Sequence, residues 1–210
     1  MIRTHDLLKV DPLHLLLNSE RGSQPIPGWV VDRLKQSPFV VVRSGLITDN
    51  AIPIGVRGTE RSQRWAMSSR ADHVERIIKP FQLLEGASTL SRTNLLPAFR
   101  SLQLLKRRWT DLKYEWGPGG SVGFELATGI ESVGIDSDLD IVVYADQPIG
   151  IDEARSLHHL TMKLPAIVDV RVETPSCAFS LQEYAHRASS NILLRRPSGS
   201  MLGSDPWMSE

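Results

Sequence analysis

Residues 116–129, WGPGGSVGFELATG, and residues 137–144, SDLDIVVY, decide how this chain is read. Gly119-Gly120-Ser121 is a small-residue turn, and VGFELATG after it reads as a short helix closed by Gly129. SDLDIVVY is rich in β-branched residues and reads as a strand. Residues two apart on a strand share a face, so Asp138 and Asp140 converge while Leu139 and Ile141 turn to the core. A glycine turn followed by paired carboxylates is what metal-assisted phosphoryl chemistry requires, and it makes an enzyme the leading reading.

Other readings of the same residues fail on position. Asp136, Asp138 and Asp140 open a D-x-D-x-D pattern, but the glycine an EF-hand loop needs at its sixth position is Ile141, and the closing glutamate is Gln147. The glycine run is not G-x-G-x-x-G, since position 122 is Val, and no Gly-Lys-Ser/Thr follows to make a P-loop.

The rest of the chain fits a globular enzyme. With 210 residues, 41% of them hydrophobic, it can bury a core without staples. Lys+Arg and Asp+Glu both total 24, so no global field favours nucleic acid or an anionic membrane, and neither partner is expected. The one cysteine, Cys177, excludes an internal disulfide. The start MIRTHDLLKV lacks a signal-peptide apolar run, and no stretch approaches the ~20 apolar residues of a membrane span, which leads to a cytoplasmic expectation.

Element signals define an α+β fold in two parts, a small mixed N-terminal domain (1–88) and a catalytic domain (89–210). In the first, IPGWVVDRLKQSP reads as a helix, FVVVRSG and AIPIGVRG as strands, and TERSQRWAMSS as a helix capped by Thr59. On a helix continued through Gly58, Arg57, Arg61 and Arg64 align for a triphosphate or an acidic carrier protein, and Arg57 alone, at the end of a strand, is the best candidate as a substrate-binding residue. The Gly/Ser/Thr/Asn-rich LLEGASTLSRTN marks the connection. In the second part the apolar spacing predicts a helix from Pro97 to Tyr114. IDEARSLHHLTMKL reads as a helix and AIVDVRVET as a strand. SLQEYAH reads as a helix with a Ser180…Glu183 capping box, and NILLRR with MLGSDPW as a hairpin.

The order of helix, strand, Gly-Ser turn, short helix and D-x-D strand resembles the polymerase-β-like nucleotidyltransferase superfamily. That resemblance implies a domain with a mixed sheet and flanking helices, and a third carboxylate on the next strand, where AIVDVRVE offers Asp169 or Glu173 with Asp169 favoured. Asp138, Asp140 and Asp169 are then the catalytic and Mg²⁺-binding set, and Gly119, Gly120 and Ser121 hold phosphates at a helix start. More narrowly, THDLL, IPIGVRGTERSQRWA, WGPGGSVGFELATG, SDLDIVV, VDVRVETP and DPW resemble the malonate decarboxylase holo-acyl-carrier-protein synthases, also described as phosphoribosyl-dephospho-CoA transferases. The resemblance implies transfer of 2′-(5″-phosphoribosyl)-3′-dephospho-CoA from triphosphoribosyl-dephospho-CoA to a serine of the apo acyl carrier protein subunit of malonate decarboxylase, with pyrophosphate leaving. A nucleotidyltransferase for another hydroxyl, or a non-catalytic binding module, are the alternatives.

Overall fold

The computed structural model describes residues 2–19, 25–60, 62–86, 95–187 and 191–208, and these divide into two compact units, Met1–Lys79 and Pro80–Glu210. The fold is a mixture of helices and two sheets, as expected of an α+β protein. Among the described residues no helix is long and apolar enough to cross a membrane.

The first unit is built on β1 (Leu7–Val10), α1 (Pro12–Ser19), α2 (Gly28–Gln36), β2 (Phe39–Val42), β3 (Ile52–Arg57), β4 (Arg64–Ser69) and β5 (Val74–Ile78). Its five strands form an antiparallel sheet in the order β4-β3-β2-β1-β5. Ile52, Ile54 and Val56 alternate inward along β3, and Val30 and Leu34, one helical turn apart on α2, join the same core. Asp6 is wholly buried and accepts hydrogen bonds from the Arg3 amide at 2.8 Å and Lys79 Nζ at 2.6 Å, which ties the start of β1 to the end of β5. His5, at φ 71°, donates its amide to the Val42 carbonyl. His5-Asp6 therefore works as a structural clasp.

Residues 64–69 are a strand, where the sequence reading had a helix. Cross-strand pairing from Ile52↔Ser69 to Arg57↔Arg64 outweighs the local cap signal, and exposure alternates along RWAMSS as a two-residue period demands. Thr59 serves the turn instead, its hydroxyl meeting Gln63 Oε1 at 3.3 Å. The helical alignment of the arginines is lost with the helix. Arg57 and Arg64 face each other across β3 and β4, and Arg61 lies outside the described residues.

The second unit comprises α3 (Leu83–Gly86), α4 (Pro97–Arg108), β6 (Glu115–Pro118), α5 (Gly120–Thr128), β7 (Leu139–Tyr144), α6 (Ile151–Thr161), β8 (Val168–Glu173), β9 (Ala178–Ser180), α7 (Leu181–His186), β10 (Ile192–Arg196) and β11 (Gly199–Gly203). Six strands follow the order β11-β10-β9-β8-β7-β6, with β7 and β8 parallel and joined through α6. The connection resembles a βαβ unit inside an otherwise antiparallel sheet. Leu139, Ile141 and Val143 of β7 and Val170 and Val172 of β8 bury one sheet face in a core shared with Phe99, Leu102 and Leu105 of α4.

Helix α4 ends at Arg108, short of the Tyr114 end that the apolar spacing predicts. Trp109 caps it, its amide bonded to the Leu105 carbonyl at 2.8 Å. The apolar spacing runs on through Trp116 because two elements serve one core: Trp116, on β6, meets the Trp109 ring edge-on at 4.9 Å.

The units part at Lys79/Pro80, upstream of the composition-based boundary at 88/89, because Pro80–Gly86 packs within the second unit. Gly117 of β6 permits this, since a Cβ there would stand 2.0 Å from the Pro80 carbonyl oxygen. Phe81 then meets Tyr144 edge-on at 6.3 Å. Most of the predicted connection, 87–94, lies outside the described residues.

Candidate active site

The site grows from the sheet face opposite the α4 core. Asp140 of β7 and Asp169 of β8 are register partners on adjacent parallel strands, which puts both carboxylates on that face at neighbouring positions. Asp138 lies just before β7, two residues from Asp140, and is half-buried. Leu139 between them is fully buried and donates its amide to the Ile167 carbonyl at 2.8 Å, so the strand pairing begins between the two aspartates. Glu173, the other candidate for the third carboxylate, is four residues further along β8 and pairs with Tyr144, about 13 Å from the Asp169 level at strand rise.

The glycine turn closes on Asp140. Gly120, with φ 53°, takes the left-handed backbone that glycine tolerates best, and a Cβ there would lie 1.8 Å from Asp140 Oδ2. The carboxylate therefore rests against the first residue of α5. Gly119 precedes the helix with its amide committed to the Asp140 carbonyl at 2.9 Å, so that amide serves the sheet. Gly123 donates to the Gly119 carbonyl at 2.7 Å, closing the first helical turn and leaving the amides of Gly120, Ser121 and Val122 without a helical acceptor. Half-buried Ser121 sits in that first turn with its hydroxyl, where helix geometry favours anions.

Two residues that sequence reasoning passed over belong here. Arg171, two along from Asp169 on the same face, brings its guanidinium to 3.7 Å from Asp169 Oδ2. The two-residue strand period applied to AIVDVRVE would have found it. Glu125 is buried within α5, its Oε2 accepting the amides of Ser132 at 2.7 Å and Val133 at 2.8 Å. A single glutamate inside the apolar run VGFELA was its only signal.

Arg57 ends β3 of the first unit, and its carbonyl accepts a hydrogen bond from Arg33 Nε at 3.1 Å. The basic run 106–108 is largely occupied: Lys106 Nζ donates to the Leu84 carbonyl at 2.9 Å, and Arg108 to those of Leu160 and Met162 at the end of α6. Cys177 is buried, gives its Sγ–H to the Pro206 carbonyl at 3.2 Å, and has its pKa raised chiefly by burial, the setting of a packing cysteine.

Among the described residues no three His, Cys, Asp or Glu side chains form a ready-made metal cage. The donor chemistry nevertheless fits Mg²⁺, which takes one or two carboxylates and completes its shell with water and substrate phosphates. Asp140, which lies against the start of α5, and Asp138, two residues before it, are carboxylates of that kind.

Asp140 packed against the glycine at a helix start, with Asp169 its register partner on the neighbouring parallel strand, is an arrangement that phosphoryl-group chemistry can use. Residues 84–206 match the family model described as phosphoribosyl-dephospho-CoA transferase MdcG C-terminal domain, and residues 3–80 the corresponding N-terminal domain. The chain is 35% identical over 207 residues to the phosphoribosyl-dephospho-CoA transferase of Pseudomonas syringae pv. tomato, covering 99% of this chain and 94% of that one. It is 33% identical to that of Pseudomonas aeruginosa, covering 97% and 92%, and 32% identical to that of Klebsiella pneumoniae, covering 99% and 97%. No solved structure matches. The chain belongs to the phosphoribosyl-dephospho-CoA transferase family and is a transferase.

Proposed function

We propose that the protein transfers 2′-(5″-phosphoribosyl)-3′-dephospho-CoA from its triphosphate precursor to a serine of the apo acyl carrier protein subunit of malonate decarboxylase, releasing pyrophosphate in the cytoplasm. The observation that carries this reading is Asp140 lying against Gly120 at the start of α5 and opposite Asp169 on β8. The family membership narrows the transferred group. The sequence of turn, short helix and carboxylate strands supports placing the second unit with the polymerase-β-like nucleotidyltransferases.

In this reaction the carrier serine oxygen attacks the α-phosphorus of the triphosphate, a new P–O bond forms, and the bond to the pyrophosphate oxygen breaks. Asp169, beside the attacking hydroxyl, accepts its proton, and the Arg171 guanidinium at 3.7 Å holds that carboxylate in place. The Ser121 hydroxyl and the amides at the start of α5 hold the departing phosphates. Asp138 and Asp140 would hold Mg²⁺. Mg²⁺ held there would neutralise charge on the triphosphate and its leaving group.

Mass spectrometry of apo carrier protein incubated with the enzyme, Mg²⁺ and triphosphoribosyl-dephospho-CoA tests the proposal. The carrier gains the mass of the prosthetic group, and pyrophosphate appears in equal amount. An unmodified carrier, together with label transfer from ATP to a different hydroxyl, would overturn it.

A further inference from the structure

The segment that delivers Asp138 to the site is held by a buried carboxylate. Helix α5 ends at Gly129, whose φ of 73° turns the chain back and whose amide bonds to the Glu125 carbonyl at 2.8 Å. Thr128 reinforces the reversal, its hydroxyl donating to the Phe124 carbonyl at 2.8 Å and accepting from the Ile130 amide at 3.2 Å. The returning strand of loop then meets the Glu125 side chain, only 2% exposed, whose Oε2 takes the Ser132 and Val133 amides at 2.7 and 2.8 Å. Val133 is pinned in the apolar core beside this contact. Four residues on, Ser137 closes a tight turn with Gly134, its Oγ accepting the Gly134 amide at 2.9 Å, and the next residue is Asp138.

A carboxylate removed from water is costly unless it is well bonded, and an apolar residue would fill the helix face without that cost. Charge-assisted bonds to two consecutive loop amides give the burial a purpose, because they fix loop to helix in one register. The same helix presents Gly120 and Ser121 at its other end. Glu125 thus couples the phosphate-facing turn to the aspartate-bearing segment through one rigid element.

We propose that Glu125 is the positioning residue of this active site: through Ser132 and Val133 it sets where Asp138 stands relative to Asp140 and the start of α5. The assignment rests on the reading of Asp138 and Asp140 as the Mg²⁺ pair. Its removal should act on the metal and on turnover, and little on donor binding.

The test compares Glu125→Ala, Glu125→Gln, Glu125→Asp and Asp138→Asn in the full chain. Three readouts are used: amide hydrogen exchange over residues 130–138, Mn²⁺ affinity by paramagnetic resonance without substrate, and steady-state transfer kinetics. Glu125→Ala should speed exchange at Ser132 and Val133 and lower both Mn²⁺ affinity and kcat by about 10–100-fold, as loss of a group supporting a metal ligand typically does, with the donor KM nearly unchanged. Glu125→Gln keeps an acceptor oxygen and should restore protection and most of kcat. Glu125→Asp, too short to span both amides, should fall between, and it carries the test if the alanine variant does not fold. Faster exchange with unchanged Mn²⁺ affinity and kcat, or a glutamine variant no better than alanine, overturns the proposal. Full activity and Mn²⁺ binding in Asp138→Asn would instead remove the metal reading itself, leaving the exchange data to show whether Glu125 still holds the loop.

Discussion

At the scale of single residues, Gly120 bears two demands at once. Its positive φ excludes most side chains on conformational grounds, and the Asp140 carboxylate fills the space where a Cβ would go. Gly120→Ala should therefore displace Asp140 and lose activity by more than about 100-fold, while its stability cost stays near the 1–2 kcal/mol of a left-handed non-glycine residue. Transfer kinetics beside a thermal melt check this; an active Gly120→Ala enzyme would show that the close approach to Asp140 is dispensable. Gly117→Ala differs in kind. The clash there is with the Pro80 backbone, so it should lower stability first, read as a shift of the melting midpoint. The residues were unevenly legible. The i, i+2 relation of Asp138 and Asp140 was visible in the sequence because strand geometry is local. For the third carboxylate the sequence favours Asp169 over Glu173 only through a family resemblance, and which of them stands level with Asp140 depends on the register of two strands joined through a whole helix. Glu125 was hidden for the same reason: its partners are loop amides, and backbone amides leave no trace in residue identity.

Elements show where local signals compete with tertiary pairing. The sequence reading finds the strands FVVV, IPIGVR, LDIVVY and VDVRVE because their β-branched content agrees with their place in the sheets. It misses RWAMSS, where Thr59 imitates a helix cap while the partner strand supplies six paired positions. The short β1 and β9 carry too few residues to announce a period. In SLQEYAH the predicted cap forms on one side, with the Glu183 amide bonded to Ser180 Oγ at 3.4 Å, while the Glu183 carboxylate reaches the Leu193 amide instead. Helices α6 and α7 meet through His158 and His186, whose ring nitrogens lie 3.2 Å apart, a pairing no spacing within one helix could reveal. Burial first, then the neighbouring His186 and His159, hold His158 below its usual pKa of 6.5. The sign follows from linkage: the unfolded chain binds the proton more readily, so this stability is present in full above pH 6.5 and is lost as pH falls through the lower folded pKa. Urea midpoints should accordingly drop between pH 7.5 and pH 5, and His158→Gln should flatten part of that slope. An unaltered slope in the variant would place the proton uptake elsewhere.

On the scale of the molecule, two cores divide the chain, one drawn from residues 2–74 and the other from residues 84–207. The two family models respect the same division, matching 3–80 and 84–206. Composition located a connection but set it late, because Gly, Ser and Thr mark where the chain is irregular, whereas contacts mark where a core ends. Pro80–Gly86 has loop-like residues at its end yet packs as a part of the second unit: Leu83 is buried, Phe81 meets Tyr144, and the Pro80 backbone lies on Gly117. Two truncations separate these views of the boundary. A fragment spanning 80–210 keeps that cover and should fold cooperatively by itself, since each unit buries its own apolar cluster. A fragment spanning 89–210 exposes the bare face over Gly117 and loses the burial of Leu83, which alone is worth about 2 kcal/mol. Its urea midpoint should fall accordingly, with ANS fluorescence reporting the uncovered surface. Equal midpoints for the two fragments would mean that Pro80–Gly86 contributes nothing to the second core, and that the unit begins where the composition shifts.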